Sequence, residues 1–299
     1  MLQLAMMSAL LPPPMATRRC LVTASASSSS SWPLITSSAN AKLKTIKRLH
    51  VRRQREKSGL VLLEGHRLVL DALEAGFSPK FVVVHDAALD DAREGERLRV
   101  ALEAADCEVM RAPVEVVNEL SDTTTPQGVL AVLPTPSVPL PPSPSLVLVC
   151  DAVSDPGNLG TLLRSAAGAG VDAALLTPGC SDAWGPKALR AGMGAQCRLP
   201  TCQLAWDEVS SKLGEWRCAA FAADADGDVA HFDVDWRSPS CLVVGSEAHG
   251  LSDAVRADPR VTLCSIPMNG GGESVESLNA AVAGSVILYE AARQRLQPS

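Results

Sequence analysis

Short apolar runs recur along the chain, and each is answered by a stretch whose apolar residues return at helical spacing. From Gly59, "GLVLLEG" reads as a strand and "HRLVLDALEAG" as a helix with Leu68, Ala72 and Ala75 on one side. "KFVVVHD" is a buried strand, "DAREGERLRVALEAAD" a helix and "CEVMRA" a strand. "VEVVNELS" is a short helix and "GVLAVLP" a closing strand. These elements predict a compact α/β module over residues 39–133. The segment 134–145, "PTPSVPLPPSPS", carries six prolines and cannot continue a helix or a central strand, so it reads as a linker.

From Leu146 the alternation restarts. Strand "LVLVC" precedes loop "DAVSDPGN", helix "LGTLLRSAAGAG" and strand "VDAALLT". Helix "GPKALRAGMGA", strand "CRLPTC", helix "WDEVSSKLG" and strand "RCAAFAA" follow. Strand "CLVVGS", a short helix after Gly250, strand "VTLCSI" and a helix from Glu276 to about Arg293 complete the pattern. Short apolar strands alternating with helices predict an α/β fold with a mostly parallel sheet covered on both faces, over residues 146–299. In such sheets ligands sit beyond the carboxyl ends of the strands, which directs attention to polar residues just after them.

Charge changes the picture at the other end of the chain. The formal net charge is −6, yet residues 1–57 hold ten Lys/Arg against the single acid Glu56. Residues 147–299 hold eleven Lys/Arg against eighteen Asp/Glu. An acidic body with a basic arm can still bind RNA, because phosphate attraction is local and screened within roughly 10 Å. In "AKLKTIKRLHVRRQREK", residues 41–57, Leu43, Ile46 and Leu49 share a helical face with eight cations around them. The stretch reads either as a solvated basic helix or as an arm that contacts phosphates. Residues 1–38 lack acids, are rich in serine and carry two arginines, the composition of an organelle transit peptide. Abundant serine with scarce arginine favours a chloroplast address over a mitochondrial one. A secretory signal fits worse, for want of a basic n-region.

Nine cysteines are scattered without a C-x-x-C pair and the five histidines do not cluster with them, so neither a disulfide framework nor a metal site is expected. No apolar run is long enough to span a membrane.

Three loops carry the candidate chemistry. "DPGNLGTLLRSA" leaves a strand and opens a helix, with Asn158 placed to cap it and Arg164 further along. "LVVGSEAHGLS" runs a buried strand into Gly245, Glu247 and Gly250; Ser246 beside His249 lacks the G-x-S-x-G context of a serine hydrolase. "SIPMNGGGESVESLNAA" places Ile266, Met268, Ser277, Leu278 and Asn279 between the last strand and the last helix. "GAGVDA" fits G-x-G-x-x-A, but it follows a helix and enters a strand, the reverse of a dinucleotide site.

Asn-x5-Arg, G-x-E-x2-G and Ile-Pro-Met…Ser-Leu-Asn, in that order, resemble the three motifs of the SpoU/TrmH family. These are S-adenosylmethionine-dependent RNA 2′-O-ribose methyltransferases of the SPOUT class. "LLEGHRLVLDAL" and "TTTPQGVLAVL" are similar to the family's ribosomal-protein-like substrate-binding domain. The resemblance implies a trefoil-knotted C-terminal domain and a homodimer packed through it. It also implies a donor site lined by Gly245, Ile266, Met268 and Leu278, and a catalytic set of Asn158, Arg164, Glu247, Ser277 and Asn279. RNA is the implied substrate, with large-subunit rRNA preferred over tRNA because the N-terminal module is present. Two places depart from the family pattern. The loop "NGGGESV" lengthens the path from Ile266 to Leu278, and Gly192 stands where serine is common. An idle RNA-binding assembly factor of the same fold is the rival reading.

Overall fold

The computed structural model describes residues 32–35, 37, 39–90, 93–268 and 277–297. The proposed transit peptide lies almost wholly outside the described residues, as does the "NGGGESV" loop. The expected knot closes through the connection between the last strand and the last helix, of which residues 269–276 are outside them too.

In chain order the N-terminal module holds α1 (Ala41–Leu49), α2 (Arg52–Ser58), β1 (Leu60–Glu64), α3 (His66–Glu74) and β2 (Phe81–Val84). It continues with α4 (Glu94–Ala104), β3 (Glu108–Arg111), α5 (Val114–Leu120) and β4 (Val129–Pro134). The sheet order is β1-β4-β2-β3, with β2 and β3 parallel and β4 antiparallel to both neighbours. All four residues of β2, Phe81–Val84, are buried, as expected of a strand covered on both faces. Leu43, Ile46 and Leu49 fill one of those faces, so the basic arm is no free-standing tail. His50 and Val51 break it into two short helices, and Lys44, Arg48, Arg53 and Lys57 stay exposed. Arg55 is the exception, buried at 6% exposure. Ala75 is exposed as the C-cap of α3 and does not join Leu68 and Ala72 in the core.

The C-terminal module holds β5 (Leu146–Cys150), α6 (Pro156–Ala169), β6 (Ala173–Leu176), α7 (Pro186–Gly192), β7 (Thr201–Gln203), α8 (Trp206–Trp216) and β8 (Ala219–Ala223). After these come β9 (Val229–Ala230), β10 (Ser240–Val244), α9 (Asp253–Arg256), β11 (Val261–Ser265) and α10 (Ala280–Leu296). The strand order is β7-β6-β5-β10-β8-β11-β9, and every pairing is parallel. Leu146, Leu148 and Cys150 face the core under α6 and α10, while Val147 and Val149 face the core under α8. One uninterrupted apolar run thus serves two layers.

Two expected elements differ. "CRLPTC" is not one strand: Ala195–Cys197 form a 3-10 turn and pairing begins at Thr201. Proline has no N–H to donate, and the strand starts just past Pro200. The last helix starts at Ala280, not Glu276, because Asn279 takes the cap position.

The Pro-rich segment is not a solvated spacer. Pro136 and Pro144 are buried and Leu140 packs on the core behind β5. The two modules also share packing, since Leu189 and Cys197 belong to the core that contains Val61, Leu63 and Val69. Arg55 donates from Nη2 to Asp182 at 2.6 Å and from Nη1 to the carbonyls of Leu49 and His50 at 2.7 and 3.0 Å. This buried guanidinium bolts the end of α1 to the loop before α7.

Candidate active site

Strands β10 and β11 deliver their carboxyl ends to one cavity of about 560 Å3, within the range of roughly 300–1,000 Å3 usual for small-molecule sites. Gly245, Ile266, Met268 and Leu278 all line it, joined by Glu247 and Ser277. A Cβ on Gly245 would stand 2.4 Å from the carbonyl carbon of Gly250, so only glycine lets the two backbone segments meet there. The turn is closed by reciprocal bonds, Ser246 N–H to Gly250 O at 2.9 Å and Gly250 N–H to Ser246 O at 2.8 Å. Behind it the buried Asp151 accepts from Ser252 N–H at 2.7 Å and from the Thr177 hydroxyl at 3.0 Å, which ties the ends of β5, β6 and this turn together. Asp224 and Asp226 line the opposite wall, and Arg256 donates to Asp224 at 2.5 Å. Cys264 also borders the cavity; burial pushes its thiol up to about 12, so it stays neutral.

Beside the cavity three polar side chains form a relay of fixed geometry. Asn158 Nδ2 donates to Glu247 Oε1 at 2.6 Å, and Asn158 Oδ1 accepts from Asn279 Nδ2 at 3.0 Å. Asn279 Oδ1 accepts in turn from Ala281 N–H at 2.9 Å and Val282 N–H at 3.2 Å, as the N-cap of α10. Residues 89 and 121 positions from Asn158 are thereby drawn to one amide.

Asn158 does not cap its helix, as the sequence suggested. Asp155 does, accepting from Asn158 N–H at 2.9 Å, with Pro156 at the first helical position. That N–H, and then Lys187 at 3.0 Å, hold the Asp155 carboxyl below its usual range. A better cap upstream frees the Asn158 side chain for the relay. The Asp-Pro pair was the available signal, since aspartate followed by proline marks cap and first turn.

Arg164 stays apart: it is exposed on α6 and does not line the cavity. Six residues from Asn158, it lies about 9 Å further along the helix and well round from it. Ser277 is exposed at the cavity wall. A Cβ at Gly192 would meet the Gln196 amide oxygen at 2.4 Å, so a serine there would require that side chain to shift. Among the described residues no group of three or more His, Cys, Asp or Glu could hold a metal, and no helix is long and apolar enough to cross a membrane.

The residues fit an extended cationic cofactor. The Gly245–Gly250 turn leaves backbone groups available where a side chain would fill the space, Ile266, Met268 and Leu278 offer an apolar wall, and the acids Asp226 and Glu247 suit a net positive ligand. Fold and cavity together define a cofactor-dependent α/β enzyme domain carried behind a second α/β module. Comparison with known proteins narrows this. The SpoU rRNA Methylase family matches residues 145–289, and the MRM3-like substrate binding domain matches residues 40–131. The mitochondrial rRNA methyltransferase 3 of Mus musculus is 33% identical, the alignment covering 80% of this chain and 69% of the mouse protein. The 23S rRNA (guanosine(2553)-2′-O)-methyltransferase of Bacillus subtilis is 29% identical over 85% of this chain and 97% of its own length. An uncharacterised tRNA/rRNA methyltransferase of Synechocystis is 32% identical, covering 87% of this chain and 94% of that protein. The AdoMet complex of the SpoU methyltransferase AviRb from Streptomyces viridochromogenes superposes with a TM-score of 0.76 at 28% identity, over 87% of this chain and all of the other (100%). The chain belongs to the SpoU rRNA methylase family. It is a methyltransferase, and its methyl donor is S-adenosylmethionine.

Proposed function

We propose that this chain methylates a ribose 2′-hydroxyl in organellar large-subunit rRNA. The observation that carries the site assignment is the Asn158–Glu247–Asn279 relay beside a cavity lined by Gly245, Ile266, Met268 and Leu278. Gly245, Ile266, Met268 and Leu278 would hold S-adenosylmethionine, which would supply an electrophilic methyl group for the 2′-oxygen. The chain's own task is to hold that oxygen in line and let its proton leave. Asn158, gripped from both sides, is a rigid amide for the ribose, with Glu247 and Asn279 positioning it. Ser277 at the cavity wall orients the sugar. Arg164 holds an RNA phosphate, for which its planar guanidinium fork is suited.

The exposed cations of α1 and α2, Lys44, Arg48, Arg53 and Lys57, contribute the sequence-independent phosphate attraction. A homodimer completes the arrangement. Val282, Val286 and Tyr289 form an exposed apolar stripe along α10, next to α6 where Ser165 meets Ser285 at 2.7 Å. A second copy seated on α6 and α10 covers that stripe and brings a partner's cavity towards Arg164. This accounts for an arginine that does not line the cavity of its own chain.

The vertebrate relatives are named as mitochondrial, which favours a mitochondrial address. The serine-rich, acid-free residues 1–31 and the cyanobacterial relative favour a plastid as the second reading. The test is nucleoside mass spectrometry of separated organellar rRNAs and tRNAs from cells lacking the protein. One 2′-O-methyl nucleotide should vanish from the large-subunit rRNA. Loss from a tRNA would overturn the substrate, and an unchanged set of modifications would overturn the function.

A further inference from the structure

Away from the donor cavity, a second hollow of about 290 Å3 opens in the crease between the two modules. Leu189, Arg190 and Met193 of the α7 segment form one wall. The other wall comes from the start of α3 and the loop before β4, with Arg67, Leu68 and Gln127. Its volume lies just below the roughly 300–1,000 Å3 usual for small-ligand sites, enough for one planar ring system and too little for an extended cofactor.

We propose that this crease receives a single unpaired nucleotide of the RNA substrate, close in sequence to the one that is methylated. The inference rests on the RNA-methylating reading and adds where the RNA is read. A splayed base needs an apolar face, a guanidinium or thioether to stack on, and a few fixed donors and acceptors at its edge. The crease supplies each. The accessible apolar surface is Met193, 44% exposed, over a floor in which Leu68 and Leu189 are buried. Arg67 and Arg190 stand at its rim, their side chains 68% and 38% exposed. Arg67 donates to Asp71 at 3.1 Å, while Arg190 makes only a looser ion pair with Asp122 at 3.5 Å, and both guanidinium groups stay open to solvent at the rim. Gln127 Oε1 accepts from His66 N–H at 2.9 Å, which fixes that amide and leaves its NH2 group as a donor. The one carboxylate in the lining, Glu64, is engaged by the Thr123 hydroxyl at 2.8 Å and by Ser121.

Met193 adds an independent observation. It adopts φ +48°, a left-handed conformation that L-residues rarely take, and leaves 44% of its surface exposed. This is the left-handed cap that ends α7, where glycine is the usual residue, so the backbone does not call for the large exposed thioether that stands there beside the crease.

The crease is also near the chemistry. Lys187, on the first turn of α7, bonds Asp155 at 3.0 Å, and Asp155 caps the helix that carries Asn158. From Lys187 to Met193 is six residues, about 9 Å of helical rise, the reach of a neighbouring nucleotide.

The test takes Met193→Gly and Arg190→Ala in the full chain, with a transcript of organellar large-subunit rRNA as probe. Ultraviolet crosslinking and peptide mass spectrometry locate the RNA; steady-state methyl transfer and donor titration give KM, kcat and Kd. Expected are wild-type crosslinks on the peptides holding Met193 or Gln127. Each variant should weaken those crosslinks and raise KM for RNA about tenfold, with donor affinity unchanged. Met193→Gly removes the side chain while easing the backbone, so its thermal midpoint should not fall, and a folding defect cannot imitate the result. Crosslinks confined to other surfaces would overturn the proposal. So would variants with wild-type KM and RNA affinity, or binding of free nucleoside monophosphates in the crease while the RNA crosslinks elsewhere. A wild-type chain that binds RNA but transfers no methyl would instead refute the enzymatic reading, and the crosslink map would still decide the crease.

Discussion

Around the cavity at the ends of β10 and β11, proposed as the donor site, the chain presents the backbone of the Gly245–Gly250 turn, apolar side chains and the charged Asp224, Asp226, Glu247 and Arg256, all from one module. In the interdomain crease it presents arginines, an amide and a methionine, drawn from two modules. The cavity is shaped by close approach, since a Cβ on Gly245 would stand 2.4 Å from the carbonyl carbon of Gly250. The crease is held by paired charges: the nearly buried Asp71 bonds Arg67 from its own module at 3.1 Å and Arg198 from the other at 3.0 Å. A cofactor that never varies can be read by fixed backbone, whereas an RNA that differs between relatives is better read by side chains that can change. The difference also separates how the two regions fail. The first fails when an atom is added, the second when a charge is removed.

The largest effect is expected from adding atoms to the cavity. Gly245→Val must displace the Gly250 carbonyl, and donor binding measured by calorimetry should become undetectable together with methyl transfer. Donor affinity within a few-fold of wild type would break the backbone-built picture. Next comes the bolt between the modules. Arg55→Ala leaves Asp182 without its guanidinium and strips the Leu49 and His50 carbonyls of a donor, and should cost about 3 kcal/mol in chemical denaturation. In the molecules that remain folded, KM for RNA should rise while donor Kd stays constant, which sharpens the contrast between the two sites.

A substitution in the relay tests the reverse separation. Asn158→Asp keeps size but faces the Glu247 carboxylate with another carboxylate, and kcat should drop on the order of 10²-fold with donor Kd little changed. Equal losses in both would mean that the relay builds the cavity instead of serving the reaction. The smallest effect concerns acid. Arg293 at 2.7 Å, and then Gln294, hold the Glu290 carboxyl down to about 2 against an ordinary 4.5. Because its folded pKa is depressed, the stabilisation is present above pH 4.5 and is lost as pH falls through that value towards 2. Glu290→Gln should flatten the stability profile in that window and leave both sites' affinities alone.

Much of this was legible in the sequence wherever the cause is local. "LVLVC" and "CLVVG" can only be doubly covered strands, and Gly245, Ile266, Met268 and Leu278 follow such strands in a recognisable order. Asn158 was read as the cap of α6, whereas it lies inside the helix and Asp155 caps it, because the capping competition between them is decided by geometry three residues apart. The long-range partnerships could not be read. Arg55 looked like one more solvated cation in a basic run, yet its partner Asp182 stands 127 positions away. The crease was invisible for the same reason, since its walls are brought together only when α7 docks on the core of the other module.

The most direct measurement incubates the purified full chain with methyl-labelled S-adenosylmethionine and unmodified organellar RNA separated into rRNA and tRNA, followed by digestion to nucleosides. Label on large-subunit rRNA, recovered in a single 2′-O-methylated nucleoside and abolished by Asn158→Asp, is the expected result. Label on a base, label on tRNA alone, or full transfer by the Asn158→Asp variant would contradict it.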